Sequence, residues 1–254
     1  MKEEYKHKFE FPRLGDRNVV VIFIIVLSML VSASIWVWHE YRTTPPYIDS
    51  EKYPIKGIDV SRHNGMMNFD AAVADGVEFV FIKASEGKSL QDENFRINYE
   101  KAGRAGMKIG AYHFFRFDVD GVEQAHNLLG AIKNCELDLG VAIDVEKSGN
   151  PDGISDDIVQ RELRQMVDYL TLRGVDITLY TNKDGYYQYC QSSDFAICRL
   201  WICSFSQNPI NAEWTFWQYN HRGKVKGIRG DVDLNVFNGS REDWENYCES
   251  IKIH

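Results

Sequence analysis

Short apolar runs alternate with amphipathic stretches from residue 57 onward, and this alternation constrains the fold more than any other feature. The apolar runs have the length of strands and lie at 57–60, 78–84, 108–115, 140–145, 177–181, 200–205, 215–219 and 230–234. Helical periodicity occurs between several of them, at 94–105, 122–134 and 155–173. A strand followed by a helix, repeated, favours a parallel sheet, and eight strands favour its closure into a barrel. Because the later strands are joined by shorter and less helical segments, we expect an α/β fold built on an irregular eight-stranded β/α barrel.

The last of these helical stretches carries signals at both ends. Ser155 is the expected N-cap, because its hydroxyl could accept a hydrogen bond from the first turn. Gly174 is the expected residue just past the C-terminal end, where a left-handed backbone favours glycine.

The composition is that of an acidic soluble domain with a short appendage. The chain has 254 residues, 44% of them hydrophobic, which is enough for one sizeable domain. Its 37 acidic and 29 basic residues leave a formal net charge of −8. No basic stretch is evident outside the N-terminus, so we expect no nucleic-acid partner.

An uncharged run of 20 residues, Val19–Trp38, predicts a transmembrane helix. A helix of that length spans roughly 30 Å, the thickness of a bilayer core. Lysines and arginines concentrate before this run, which predicts a cytoplasmic N-terminus and an extracytoplasmic remainder of the chain. Ser32-Ala33-Ser34 could serve as a signal-peptide cleavage site, but the apolar run continues past it, which favours an uncleaved anchor.

These features divide the chain into four predicted parts. Residues 1–18 form a cytoplasmic segment, 19–38 the transmembrane anchor, 39–55 a linker and 56–254 the barrel domain. The linker prediction rests on Thr43-Thr44-Pro45-Pro46, because proline disfavours helix in the residue before it.

All five cysteines follow the predicted anchor, as expected of an exported domain. Their odd number leaves at least one unpaired, and a disulfide between Cys190 and Cys198 is a hypothesis that their closeness in sequence suggests. No Cys or His spacing is typical of a zinc site, so no metal is expected from these residues.

Carboxylates stand at the ends or inside three of the predicted strands. Asp59 ends the first strand, Asp144 and Glu146 end the fourth, and Asp233 lies in the eighth. Because reactive groups of such barrels lie at the C-terminal ends of strands, we expect these four acids to converge on one mouth.

The spacing of Asp144 and Glu146 suits glycoside cleavage. Residues i and i+2 of a strand point to the same face, roughly 6–7 Å apart along it. Mutual repulsion in a partly dry site raises the pKa of one carboxyl, so that a protonated acid stands beside an ionised one. The acid can protonate the leaving oxygen while the negative charge supports an oxocarbenium-like centre. Two alternatives are that each acid caps a helix or binds an arginine, and that the four carboxylates hold Mg²⁺ or Ca²⁺.

The ordered motifs of residues 56–238 resemble glycoside hydrolase family 25, the Chalaropsis-type lysozymes. The segments that carry the resemblance are Asp59-Val60-Ser61, Phe81-Ile82-Lys83-Ala84-Ser85-Glu86-Gly87, Gly110-Ala111-Tyr112-His113-Phe114-Phe115, Asp144-Val145-Glu146, Trp217-Gln218-Tyr219 and Val232-Asp233-Leu234-Asn235. The resemblance implies a TIM-like barrel with fewer helices on its last strands, and cleavage of the β-1,4 bond from N-acetylmuramic acid to N-acetylglucosamine in peptidoglycan without a cofactor.

The resemblance also implies roles for particular residues. Glu146 corresponds to the general acid, and Asp144 to a partner that either attacks the sugar or orients its 2-acetamido group. Asp59 and Asp233 correspond to flanking acids. The expected substrate-binding residues are Tyr112, Tyr180, Trp201 and Gln218; for Tyr180 and Trp201, packing of the barrel is the alternative.

One position departs from the family pattern. Asn64 stands where the family more often has Gln, one methylene longer, which puts local substrate contacts in question. Two other functions remain open at this stage: a glycan-binding module without activity, and a hydrolase of another amino-sugar polymer such as chitin. The oligomeric state is not indicated by the sequence.

Overall fold

A computed structural model describes residues 17–43, 45–206 and 208–251 of the chain. The chain divides into two compact units, Met1–Thr44 and Pro45–His254, each described by itself. Most of the predicted cytoplasmic segment, residues 1–16, lies outside the described residues.

The described residues of the first unit form one helix, α1 (Arg17–Thr43). Its window Val19–Trp36 has a mean hydropathy of 2.8 and is long and apolar enough to cross a membrane, a property that a signal sequence shares. Two serines within the window satisfy their hydroxyls inside the helix, since Ser28 Oγ donates to the Ile25 carbonyl and Ser34 Oγ to the Leu30 carbonyl, both at 2.8 Å.

The described residues of the second unit form nine strands. They are β1 (Lys56–Val60), β2 (Phe79–Glu86), β3 (Leu90–Gln91), β4 (Lys108–Phe114), β5 (Val141–Asp144), β6 (Ile177–Asn182), β7 (Arg199–Cys203), β8 (Phe216–Gly223) and β9 (Val232–Phe237). Its helices are α2 (Phe69–Ala74), α3 (Phe95–Arg104), α4 (Gly121–Ala131), α5 (Asp156–Thr171), α6 (Lys183–Gly185) and α7 (Arg241–Ser250). Shorter turns are 3₁₀-helical at Arg62–Asn64 and Ser193–Phe195, and π-helical at Tyr186–Cys190.

Eight of the strands close into the predicted barrel, in the order β1-β9-β8-β7-β6-β5-β4-β2, with β2 pairing back to β1. The short strand β3 adds to the edge of β2. The expectation of a parallel sheet is wrong for one strand, because β9 runs antiparallel to both β8 and β1. The physical reason is the short connection between β8 and β9, which makes a hairpin, whereas a parallel crossover needs a dozen or more residues.

The interior of the barrel is filled by aromatic side chains. Phe79 and Phe81 lie wholly buried beside Phe216, with ring centroids 5.3 and 5.1 Å from that ring. Two strand glycines make room for these rings. A Cβ on Gly57 would lie 2.3 Å from the Phe79 ring, and a Cβ on Gly110 would lie 2.3 Å from the Phe81 ring.

The outer face of β7, β8 and β9 is covered by chain that we expected to be linker. Tyr53 is 8% exposed and packs in one cluster with Ile202, Trp217 and Val236. Ile55 is completely buried, and its carbonyl accepts a hydrogen bond of 3.1 Å from the Phe237 N–H. The compact unit therefore starts at Pro45, about ten residues before the expected start at Lys56.

Both end signals of α5 correspond to observed features, with one difference. Ser155 has the extended backbone of an N-cap, but its side chain makes no capping hydrogen bond. Gly174 has a φ of +72°. The Gly174 N–H donates to the Thr171 carbonyl and the Val175 N–H to the Leu170 carbonyl, which is the Schellman pattern.

All five cysteines are free thiols, so the hypothesis of a disulfide between Cys190 and Cys198 is wrong for this structure. Cys190 and Cys135 are buried, and burial raises the pKa of the Cys190 thiol to about 12. A buried neutral thiol packs as a small apolar side chain and needs no partner.

Candidate active site

All eight residues that the sequence predicted for the site line one cavity of about 500 Å³ at the mouth of the barrel. The lining consists of Asp59, Tyr112, Asp144, Glu146, Ser148, Tyr180, Trp201, Cys203, Phe205, Gln218, His221 and Asp233. Seven barrel strands or the turns that follow them contribute to it.

Strand alternation brings these side chains together. Ile143 and Val145 belong to the outer cluster between sheet and helices, whereas Ala142 belongs to the inner one. Asp144, the last residue of β5, therefore points inward, and Glu146 follows two residues later on the same side.

Asp233 reaches the mouth by a different geometry from the one expected. It is the second residue of β9, and the antiparallel register places it opposite Asp59 of β1. Because β9 is reversed, the start of this strand lies where the parallel strands end.

Asp59 is held by a chain of hydrogen bonds across the barrel. Its Oδ2 accepts from Gln218 Nε2 at 2.9 Å and from Asn235 Nδ2 at 2.8 Å. Tyr180 Oη donates to Gln218 Oε1 at 2.9 Å, and Trp201 Nε1 donates to Asn235 Oδ1 at 2.8 Å. Burial raises the pKa of Asp59 to about 6, while the two amide donors act in the opposite direction.

Tyr180 and Trp201 therefore have a structural role in addition to lining the cavity. Trp201 is 2% exposed and stacks on Phe81 with ring centroids 4.5 Å apart. Tyr180 is 9% exposed and contacts Trp201 edge to face at 4.6 Å. The hydrogen bonds of both residues lead to Asp59, so they orient that carboxylate.

The surroundings of Asp144 are unfavourable for an ionised carboxylate. It is 8% exposed, and its Oδ1 is buried without a hydrogen-bond partner among the described residues. Burial, then the charges of Glu146 and Asp59, raise the pKa of Asp144 well above its ordinary value. Burial and the neighbouring carboxylates thus favour the neutral form of Asp144 over the ionised one.

Glu146 is less buried than Asp144 and stands beyond the end of β5. Its backbone is fixed by Asn150, whose Nδ2 donates to the Glu146 and Phe115 carbonyls, both at 2.9 Å. Burial and the charge of Asp59 raise the pKa of Glu146. The pKa of Asp233 is raised to about 8, first by burial and then by Asp59 and Glu146.

Lys83 is a cation whose charge acts on this site, although it is not one of the residues that line the cavity, and it was not among the predicted site residues. It follows Phe79 and Phe81 at the inward positions of β2, and its Nζ lies 2.8 Å from Glu86 Oε2. Its charge lowers the pKa of both Asp144 and Glu146, against the larger effect of burial. Continuing the two-residue alternation of β2 would have identified it.

Other residues missed at the sequence level are Asn235, Ser148, Cys203, Phe205 and His221. Asn235 could have been found by the same alternation, two residues after Asp233. Asn64, whose shorter side chain put substrate contacts in question, is not among the lining residues; its Oδ1 accepts from the Ser61 N–H at 2.9 Å and stabilises the turn after β1.

The described residues contain no group of three or more His, Cys, Asp or Glu side chains placed to hold a metal ion. The interpretation of the four acids as a Mg²⁺ or Ca²⁺ site therefore has no support from their geometry.

Comparison with known proteins identifies the family. A family model described as glycosyl hydrolases family 25 matches residues 58–228. The autolytic lysozyme of Clostridium acetobutylicum is 36% identical over 185 residues, which are 72% of this chain and 56% of that protein. Lysozyme M1 of Streptomyces globisporus is 31% identical over 204 residues, 73% of this chain and 68% of that protein. The chain thus spans little more than half the length of the clostridial relative.

Solved structures agree with this assignment. A family 25 glycosyl hydrolase from Bacillus anthracis superposes with a TM-score of 0.71 at 34% identity, covering 80% of this chain and 96% of that one. A bacterial lysozyme from Streptomyces coelicolor superposes with a TM-score of 0.66 at 31% identity, covering 74% of this chain and 94% of that one.

Proposed function

The chain belongs to glycosyl hydrolase family 25, and on that premise we propose that it is a muramidase that hydrolyses the β-1,4 bond between N-acetylmuramic acid and N-acetylglucosamine in peptidoglycan. One observation carries the proposal for this chain's own residues. Four carboxyls with raised pKa values line a single cavity at the barrel mouth, and two of them, Asp144 and Glu146, are separated by one residue.

Glu146 is the general acid in this proposal. It is the more exposed member of the pair and has the longer side chain, so it can reach the glycosidic oxygen of a sugar bound in the cavity. Burial and the charge of Asp59 raise its pKa, which favours the protonated form that a general acid needs. After the bond breaks, the ionised Glu146 takes a proton from the incoming water.

Asp144 orients the 2-acetamido group of the substrate rather than attacking the sugar itself. Its pKa is raised well above the ordinary value, and a neutral carboxyl is a poor nucleophile. Its unpartnered Oδ1 is a buried acceptor that an amide N–H would satisfy. The acetamido oxygen then attacks the anomeric carbon as Glu146 protonates the leaving oxygen, and water opens the resulting ring.

The test is product analysis on purified peptidoglycan with the unit that begins at Pro45. Mass spectrometry is expected to find new reducing-end muramic acid. Release of reducing-end N-acetylglucosamine, or cleavage of chitin oligomers in preference to peptidoglycan, would assign another bond. Binding without any product from pH 4 to pH 8 would assign a glycan-binding module.

Glu146→Gln is expected to lower kcat by about 10²–10⁴-fold, because the amide cannot donate the proton. Glu100→Gln, an exposed change on α3, serves as the matched control and should retain activity. Near wild-type turnover by Glu146→Gln on peptidoglycan would refute the assignment of the acid.

The proposed position of the enzyme is at a membrane, with α1 as an uncleaved anchor and the barrel on the extracytoplasmic side. The apolar window Val19–Trp36 and the cationic residues before it support this placement. Full-length protein should stay in the membrane fraction after carbonate washing. Recovery of a soluble form whose N-terminus lies near Ser34 would show instead that the segment is a signal peptide.

A further inference from the structure

The strand β8 is longer than its parallel neighbour and projects from the mouth of the barrel. Its last residue paired with β7 is Gln218, opposite Cys203. The remaining residues, up to Gly223, pair only with β9 and form a hairpin. Because β8 ends at the mouth, this hairpin stands on the rim of the cavity.

The hairpin is basic in a chain that is acidic as a whole. No Asp or Glu occurs from residue 214 to residue 230, whereas the chain carries a net charge of −8. The same stretch contains His221, Arg222, Lys224, Lys226 and Arg229. The expectation that no basic stretch lies outside the N-terminus is therefore wrong for this segment.

Two of these cations are neutralised by neighbouring acids. Lys224 Nζ lies 2.5 Å from Asp231 Oδ1, and Lys226 Nζ lies 2.8 Å from Asp75 Oδ1. Arg222 and Arg229 are exposed, and neither forms an ion pair with any residue in the described parts of the chain. Their charges are available to a ligand.

Contacts of the hairpin join this charge to the catalytic cavity. His221 lines the cavity together with Asp233, and its ring lies 4.6 Å from that of Phe205, another lining residue. The hydrogen bond from Lys224 and its charge, and then the charge of Arg222, hold the pKa of Asp231 below its ordinary value, so Arg222 lies within electrostatic reach of this part of the rim.

A second basic element lies beside the hairpin. Asn64 Nδ2 donates to the Asp231 carbonyl at 3.4 Å and so connects the 3₁₀ turn Arg62–Asn64 to the start of β9. Arg62 and His63 in this turn are both exposed. The rim near β1, β8 and β9 therefore combines cations from two elements, next to a cavity lined by four acids.

An uncharged glycan gains nothing from such a rim, but peptidoglycan is not uncharged. Each muramic acid carries a peptide stem, joined through its lactyl group, and the stem has free carboxylates. The ionised Asp59 would repel those carboxylates unless cations stood between them. Relying on the proposed muramidase function, we infer that the β8–β9 hairpin, chiefly through Arg222, binds the carboxylates of the peptide stem and makes stem-bearing glycan the preferred substrate.

The experiment measures binding and turnover on two matched ligands. One is soluble glycan strands with intact stems, and the other is the same strands after an amidase has removed the stems. Full-length protein in detergent carries Glu146→Gln for the binding measurement, so that no cleavage occurs. Protein with an intact Glu146 is used to measure kcat/KM on the stem-bearing and on the stem-free glycan.

We expect tighter binding and higher kcat/KM on stem-bearing strands. Arg222→Gln should reduce the preference ratio by about two- to fivefold, and Arg222→Glu by more, through KM rather than kcat. Raising NaCl from about 0.05 M to about 0.5 M should shrink the preference in the wild type, because exposed charges are screened. Arg104→Gln, an exposed arginine at the end of α3, removes the same charge away from the mouth and should leave the ratio unchanged.

The outcomes separate this inference from the function on which it rests. Equal affinity for both strands, or a loss in Arg222→Gln that is the same on both, overturns the role of the hairpin while cleavage still supports a muramidase. Absence of cleavage of either strand overturns the muramidase proposal. In that case the binding ratio of the Glu146→Gln protein still decides whether the hairpin recognises stems.

Discussion

At the scale of single residues, the site is organised around Asp59 rather than around the Asp144–Glu146 pair alone. Asp59 is fixed by two amide donors and contributes to the raised pKa values of Asp144, Glu146 and Asp233. Because the pKa of Asp59 itself is about 6, its charge is fully present only above that pH. The protonation of the other three acids therefore depends on the charge of Asp59.

Asp59→Asn tests this coupling. Removing the negative charge lowers the pKa of Glu146, so the general acid loses its proton at lower pH. The alkaline limb of the kcat/KM profile should move towards lower pH. Asp168→Asn, an exposed change on α5, is the control. An unmoved limb in Asp59→Asn would show that Asp59 does not tune the acid.

Asp144→Asn tests the cost of the buried acid to stability. The raised pKa means that the folded state holds a proton that the unfolded chain, with a pKa of about 3.9, has released. The folded protein therefore loses stability as pH rises from about 4 through the raised value, and the asparagine variant does not. At pH 8 we expect the free energy of unfolding of the variant to exceed that of the wild type by roughly 1 kcal/mol, which corresponds to a melting temperature about 2–4 °C higher.

Calorimetry at pH 4 and pH 8 measures this effect. The difference between variant and wild type should shrink at pH 4, because only about half of the unfolded Asp144 side chains have released their proton at that pH. A difference that is the same at both pH values would contradict a titration effect and point to packing.

At the scale of secondary-structure elements, the inward-facing residues of the strands form both the aromatic core of the barrel and the cavity above it. Glycines at inward positions of β1 and β4 admit the rings of Phe79 and Phe81, and residues two further along those strands are Asp59 and Tyr112. The same alternation thus places a dry aromatic layer directly below the layer of polar groups.

Gly57→Ala probes this layer. The added Cβ would stand 2.3 Å from the Phe79 ring, so the ring or the strand must move, at a cost of about 1–3 kcal/mol. Chemical denaturation measures the loss. Gly103→Ala is the control, because its Cβ would meet nothing closer than 3.7 Å and alanine favours the helix α3. Equal stability of Gly57→Ala and the wild type would mean that the barrel interior yields easily.

At the scale of the whole molecule, the barrel has two kinds of outer layer. Around β2 to β6 the covering side chains come from helices, including Leu128 of α4 and Leu163 of α5. Around β7 to β9 they come from segments without helix, among them Tyr53 and Trp214, whose rings lie 5.8 Å apart. The segment that leads from the apolar helix into the barrel is thus part of the barrel's core.

A truncation pair tests this arrangement. A chain that begins at Lys56 loses the burial of Tyr53 and Ile55, which contribute about 1.5–3 kcal/mol each. It should unfold at lower denaturant concentration than a chain that begins at Pro45, and it should expose Trp217 to fluorescence quenchers. Matching denaturation midpoints would show that residues 45–55 only cover the barrel.

The sequence alone predicted the eight barrel strands and their closure, together with eight of the twelve residues that line the cavity. The four acids follow from local patterns, and the other four residues follow from the family resemblance. The local patterns are apolar runs of strand length, helical periodicity, and acids where strands end. The apolar run of α1 is local in the same way, and it predicts a helix able to span a membrane without deciding whether it is retained.

The contacts that position these residues could be seen only in the folded chain. Asn235 and Asp59 are 176 positions apart in the chain, so no local pattern indicates that one holds the other. The reversed strand β9 brings Asp233 to the mouth from the start of its strand. The hairpin that carries Arg222 projects because β8 is longer than β7. Tyr53 packs against the outer face of the last strands, where helices cover the earlier ones. Each depends on contacts between distant segments, whose free energy arises only when the barrel closes.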